Sequence, residues 1–122
     1  MKNAINWFEI PVKNFNKAKT FYETILGAEM QVMEMPGMKS AFFPADLQNG
    51  IGGCIMEGQG YEPSNKGSVI YLNGGDDLSV PLSKVEKAGG KIVMPKTAIG
   101  QNGFMAHFED TEGNKVALHS MK

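Results

Sequence analysis

Several features that usually announce a function are scarce in this chain. It has one cysteine, Cys54, which excludes an internal disulfide. No long apolar run resembles a secretion signal or a membrane span, so a cytoplasmic protein with no membrane partner is expected. Charge of one sign is also lacking. The formal net charge is −1 and the pI about 6.1, which offers no basic face and excludes a nucleic-acid partner. Only two histidines are available for chemistry near neutrality, His107 and His119.

What is present is globular. With 122 residues, 42% apolar and 20% charged, the chain is expected to form a single domain over residues 1–122 with one shared core. Nine methionines supply soft side chains that fill core gaps or line an adaptable pocket, core filling being the usual role.

The segment Gly103 to Ser120 reads as a β-hairpin: Phe104, Ala106 and Phe108 alternate with polar neighbours, Asp110 to Asn114 carries turn residues, and Val116 and Leu118 alternate again. His107 falls on the outgoing strand. His119 falls on the return strand, on one face with Lys115 and Ala117. Earlier, Ile5 to Val12 reads as a strand with Phe8, Ile10 and Val12 on one face and Trp7, Glu9 and Pro11 on the other. Asn14 caps a helix in which Phe15, Ala18, Phe21, Tyr22, Ile25 and Leu26 recur at helical spacing until Gly27. Three strands follow, over Glu29–Met35, Lys39–Phe43 and Ile51–Glu57. A Gly-, Pro- and Ser-rich connector covers 58–67. The second half repeats the order, with a strand at Ser68–Asn73, a helix at Asp77–Ala88 closed by Gly89-Gly90, a strand at Lys91–Met94, and the hairpin. Pro81 sits near that helix's start, where its missing amide costs least, and Asp76-Asp77 are expected to cap it.

Both halves thus read βαβββ, over about 4–58 and 67–121. A gapless shift of 63 residues superposes them, pairing Glu23 with Glu86, Gly27 with Gly90 and Gly50 with Gly113. The same shift sets Phe8 on Tyr71, Phe15 on Leu78 and Ile55 on Leu118.

Paired βαβββ modules, together with Trp-Phe-Glu-Ile-Pro-Val at 7–12, Lys-Ala-Lys-Thr-Phe-Tyr-Glu-Thr-Ile-Leu-Gly at 17–27 and Phe-Glu-Asp-Thr-Glu-Gly-Asn-Lys-Val-Ala-Leu-His-Ser at 108–120, resemble the vicinal oxygen chelate superfamily of glyoxalases, bleomycin-binding proteins, fosfomycin-resistance enzymes and extradiol dioxygenases. The resemblance implies an α+β fold in which two tandem βαβββ modules form a curved mixed sheet, a cup around a small ligand, often with close pairing of two subunits. Fold alone does not assign an activity here. Metal-using members place ligands on the first and last strand of each module, and the matching positions in this chain are Trp7, Cys54, Ile70 and Ala117. Three of these cannot bind a metal, so no metal cofactor is expected.

The resulting expectation is a small-molecule binding protein, or a metal-independent enzyme of this type, with Trp7, Cys54, Met56, Ile70 and Ala117 lining the cup. Glu9 and His119 would serve as a base and acid if they meet; otherwise they satisfy nearby polar groups. The alternative is a metal-dependent lyase or dioxygenase using a divalent metal on a non-standard set such as His107, His119 and Glu9. His107 with Glu109 is a candidate metal pair or a solvated strand face. Cys54 is a nucleophile or an inert buried thiol, its apolar neighbours favouring the latter. A regulatory module with an empty cup is a third class. Thr111, Gly113 and Asn114 are assigned to turn chemistry. Two curved half-sheets leave edges and cup incompletely covered, which points to a homodimer.

Overall fold

The computed structural model describes residues 2–122. The element order is β1 (Trp7–Pro11), α1 (Phe15–Leu26), β2 (Gln31–Met35), β3 (Met38–Phe42), β4 (Gly52–Gly58), β5 (Ile70–Asn73), α2 (Ser79–Leu82), β6 (Lys91–Ala98), β7 (Phe104–Glu109) and β8 (Lys115–Ser120). Two mixed four-stranded sheets result, ordered β1-β4-β3-β2 and β5-β8-β7-β6. In each, the first strand runs parallel to the last and the remaining pairs are antiparallel. This is the expected tandem βαβββ arrangement, and the sheets do not close into a barrel.

The first helix forms where the sequence places it because both ends are satisfied. The Asn14 side chain accepts from the Lys17 N–H at 3.2 Å, and Glu57 on β4 accepts from the Phe15 N–H at 3.1 Å. Gly27 ends the helix at φ 67°, a left-handed conformation that glycine adopts without strain. Its buried stripe of Phe15, Ala18, Phe21, Tyr22 and Ile25 packs into one core with Ile10, Ile55, Leu72, Phe108, Val116 and Leu118, drawn from both modules. Burying each of the larger side chains stabilises the fold by about 1.5–3 kcal/mol.

The second helix differs from expectation. Regular α-helix is confined to Ser79–Leu82, and residues to Gly89 continue as turns. Pro81 has no amide to donate to the Asp77 carbonyl, which instead accepts from Val80 at 3.1 Å, and later bonds alternate between three- and four-residue spans, as in Val85 to Leu82 and Ala88 to Lys84. Asp77 does hold the start, accepting from the Ser79 N–H at 2.8 Å and from Lys96 at 2.9 Å, and these donors draw its pKa down to about 2. The expected second strand of this module is also longer, reaching Ala98.

The gapless repeat needs two corrections. Phe8 lies opposite Gly53, and Ile70 lies opposite Val116; since Gly53 and Val116 correspond, the counterpart of Phe8 is Ile70 rather than Tyr71. Phe8 packs beside Phe43, with ring centroids 5.4 Å apart, whereas Tyr71 is 50% exposed on the other face. A one-residue slip in a strand exchanges its faces. The third strand slips by two: Cys54 faces Phe42, but Ala117 faces His107 rather than Met105. A slip of two preserves the faces.

The modules are clamped together by the β7–β8 turn. Asp110 accepts from the Tyr22 hydroxyl at 2.7 Å, from the Asn114 side chain at 3.0 Å and from the backbone of Glu112 and Asn114 at 2.9 Å each. Asn114 also donates to the Pro11 carbonyl at 2.8 Å and accepts from the Ser64 N–H at 2.9 Å, while Glu112 accepts from the backbone of Lys13 and Asn14. The turn therefore does more than set the hairpin. Burial pushes the Asp110 carboxyl up despite these four donors, and burial with the neighbouring Asp110 charge pushes the Tyr22 phenol well up.

Candidate functional site

Each sheet turns one face to the core and its helix and the other away from it. On the helix-free face of the first module, the β1–β4 register sets Trp7 beside Gly52, Glu9 beside Cys54 and Pro11 beside Met56. β3 adds Phe42 beside Cys54 and Ser40 beside Met56. Trp7 meets Phe42 edge-on, with centroids 5.6 Å apart. A Cβ at Gly52 would stand 2.8 Å from the Leu47 side chain and 3.4 Å from the Trp7 ring, so the glycine keeps the indole seated. Four of the expected lining residues, Trp7, Glu9, Cys54 and Met56, thus share one surface.

Cys54 and Met56 are buried while Trp7 and Glu9 are exposed. Burial, then the nearby Glu9 charge, pushes the Cys54 thiol up to about 11, with Trp7 acting weakly in the opposite sense. On the order of one molecule in ten thousand would carry the thiolate at neutral pH, so the thiol form prevails there. Glu9 accepts a hydrogen bond from the Tyr61 hydroxyl at 2.8 Å, and that bond pushes the Tyr61 phenol up, keeping it protonated. Tyr61 belongs to the connector, where sequence reading saw only linker composition; a single aromatic among Gly, Pro and Ser was the available signal.

The second module presents a different surface. Tyr71 lies beside Ala117 and Asn73 beside His119, and β7 adds His107 beside Ala117 and Met105 beside His119. The Tyr71 oxygen is 3.1 Å from His107 Nε2, and the rings meet edge-on at 5.7 Å. His107 is 9% exposed, so it does not lie on a solvated face. Burial first, and Lys115 second, hold its pKa below the ordinary imidazole value.

Ile70 does not occupy this surface. The face exchange described above turns it toward the core with Val116, leaving its edge on the wall of the inter-module cleft. Glu9 and His119 do not bond each other. His119 Nε2–H donates to the Asn102 carbonyl at 2.6 Å, while Glu9 is engaged by Tyr61. Glu109 accepts from Asn65 at 3.4 Å rather than joining His107 around an ion.

Donor chemistry tests the metal directly. Trp7 and Ala117 have no ligating atom, Ile70 has none and faces the core, Cys54 is held protonated, and among the described residues no three His, Cys, Asp or Glu side chains are grouped to hold an ion. The residues do not fit a metal at the superfamily's usual position.

Between the modules runs an apolar cleft of about 670 Å³ whose walls include Phe8, Leu26, Phe43, Ile70 and Leu72, with Tyr71 and Asn73 at its β5 side. A smaller cavity of about 220 Å³ has Glu9, Glu62, Lys66 and Lys115 among its lining residues.

Tandem βαβββ modules folded into two mixed four-stranded sheets define a glyoxalase-like scaffold, and sequence comparison agrees. The profile of the Glyoxalase/Bleomycin resistance protein/Dioxygenase superfamily matches residues 4–118. The chain belongs to that superfamily. It is 26% identical over 115 residues to CFP32 of Mycobacterium bovis and Mycobacterium tuberculosis, provisionally named a glyoxylase, covering 93% of this chain but only 44% of that protein. A variant of Zea mays glyoxalase I is similar in structure, with TM-score 0.72 and 21% identity over 95% of this chain and 46% of that one. The fosfomycin resistance protein FosX of Listeria monocytogenes superposes with TM-score 0.65 and 17% identity, covering 98% and 91%. At these identities the structural likeness speaks for the fold.

Proposed function

We propose that the protein binds a small organic molecule on the helix-free faces of its two sheets, as a binding protein or a metal-independent enzyme of the glyoxalase and bleomycin-resistance type. One observation carries this reading: the β1–β4 register brings Trp7, Glu9, Cys54 and Met56 onto one surface, an apolar wall with a single carboxylate. Such a wall, with few placed polar groups, is the usual make-up of a ligand site. Ala117 and His119 contribute to the second wall, and Ile70 only at its margin.

Any proton transfer on the first wall falls to Glu9 with Tyr61, since their bond is formed and a Glu9–His119 bond is not. Glu9 is exposed, so a ligand can reach it. Action in the cytoplasm is part of this proposal; among the described residues no helix is long and apolar enough to cross a membrane. A homodimer belongs to the same proposal: β2 is exposed along its length, with Val32, Met33 and Met35 about half exposed at a sheet edge.

Trp7 is the sole tryptophan, so its fluorescence reports on this wall alone. A panel of aromatic and aliphatic metabolites should contain members that quench or shift Trp7 emission saturably and raise the melting temperature. Thermal stabilisation with no Trp7 response would place the ligand elsewhere. Metal analysis of protein purified without chelators addresses the divalent-metal alternative, which requires stoichiometric metal lost on substituting His119.

A further inference from the structure

Tyr71 and His107 form a hydrogen-bonded pair that the site described above leaves without a task. His107 Nδ1 is buried and has no partner, and this fixes how the pair is arranged. A buried N–H with no acceptor is a costlier orphan than a bare ring nitrogen, so the proton of the neutral ring belongs on Nε2. Nε2–H then donates to the Tyr71 oxygen at 3.1 Å, and the phenolic hydrogen is not consumed by the imidazole. The other partner within reach is the Met105 sulfur at 3.6 Å, a weak acceptor. Tyr71 is 50% exposed. A donor is therefore held in a fixed position, polarised by the ring behind it, and left without a strong acceptor.

We propose that the Tyr71 hydroxyl, positioned by His107, is the anchor for a carboxylate on the ligand, whose apolar or aromatic body lies toward the Trp7 wall. The inference rests on the small-molecule reading above and names the ligand class. A carboxylate is favoured over a neutral carbonyl because a charged acceptor strengthens the bond and because Lys115 shares this face beside His107. All twelve cationic side chains of the chain are lysines, so a bidentate arginine clamp is not available and a phenol with a nearby ammonium group takes that part. The charged or titratable groups around His107 are Lys115 and His119 on β8, Glu109 on β7, Lys91 opposite Glu109 on β6, and Tyr71 on β5. Among the described residues Lys115 makes no ion pair.

The test uses matched pairs of probes, phenylacetate with phenylacetamide and 3-phenylpropionate with its amide, titrated by calorimetry into the wild type and Tyr71→Phe. Tyr71 is half exposed, so the variant loses only the hydroxyl and is expected to fold. The acids should bind the wild type more tightly than the amides. Tyr71→Phe should weaken the acids about ten- to hundredfold, the value of a hydrogen bond to a charged group, and leave the amides within about twofold. In the wild type the acids should also raise the His107 imidazole pKa seen by NMR, which a merely structural histidine would not show. Equal binding of acid and amide, or acids indifferent to Tyr71→Phe, would overturn the carboxylate anchor while leaving the cup reading intact. Failure of both acids and amides to bind would overturn the anchor, and the cup reading would then be judged on the wider panel.

Discussion

The two modules share one strand order and differ in almost everything else. The first has a three-turn helix with both ends satisfied and a helix-free face of Trp7, Phe42, Cys54 and Met56 around one carboxylate. The second has a single turn of helix and a face of Tyr71, His107, Ala117 and His119. A duplicated scaffold has thus kept its core-facing positions and divided its outer faces into an apolar wall and a hydrogen-bonding wall. The division follows from strand alternation: core residues are constrained by packing, while residues one position away can diverge without disturbing it.

The strongest way to break the comparison is to separate the modules. Tyr22 is fully buried and bonds Asp110 across the module boundary, so Tyr22→Ala removes an aromatic from the shared core and leaves Asp110 short of a donor. A loss of about 4 kcal/mol in urea unfolding is expected, with both modules melting in one transition. Two separate transitions in the wild type would contradict the shared core.

The asymmetry of the helices is sharpened by their caps. Asn14→Ala should cost about 1 kcal/mol, because it leaves the Lys17 N–H without its acceptor at the start of a regular helix. The equivalent change in the second module, Asp77→Ala, strips a half-buried residue and its Lys96 ion pair from a single turn and should move the urea midpoint by less than Asn14→Ala does.

The smallest effect concerns His107. Its folded-state pKa lies below the ordinary value, so the unfolded chain binds more protons, and stability should fall as pH drops from about 6.5 through the folded pKa. His107→Gln should flatten that part of the stability profile measured by denaturant melts at pH 5 to 7. An unchanged slope would show that other groups set it.

Much of the fold was legible in the sequence because its signals are local. Asn14 and Gly27 bracket the first helix, and the alternation of Phe104, Ala106, Phe108, Val116 and Leu118 gives the final hairpin and its faces. The second helix was overread because apolar spacing continues past Leu82 while Pro81 and the serines beside it decide the hydrogen bonds. The first wall was legible as well, since Trp7 and Glu9 fall on one face by simple alternation. The second was not. The resemblance placed Ile70 in the cup and the gapless repeat agreed, but the parallel register of β5 on β8 turns Ile70 inward and Tyr71 outward, and register between strands distant in sequence leaves no local mark. Tyr61 and the Asp110–Tyr22 bond were hidden for the same reason: their partners lie 52 and 88 residues away.

The central claim is that the two unlike walls serve one ligand. NMR of uniformly labelled protein titrated with phenylacetate tests it most directly, following the Trp7 indole N–H and the His107 ring signals in one experiment. Both sets of signals should move along the same saturation curve and give one dissociation constant. Movement of one set alone, or two curves with different constants, would contradict a single site built from both modules.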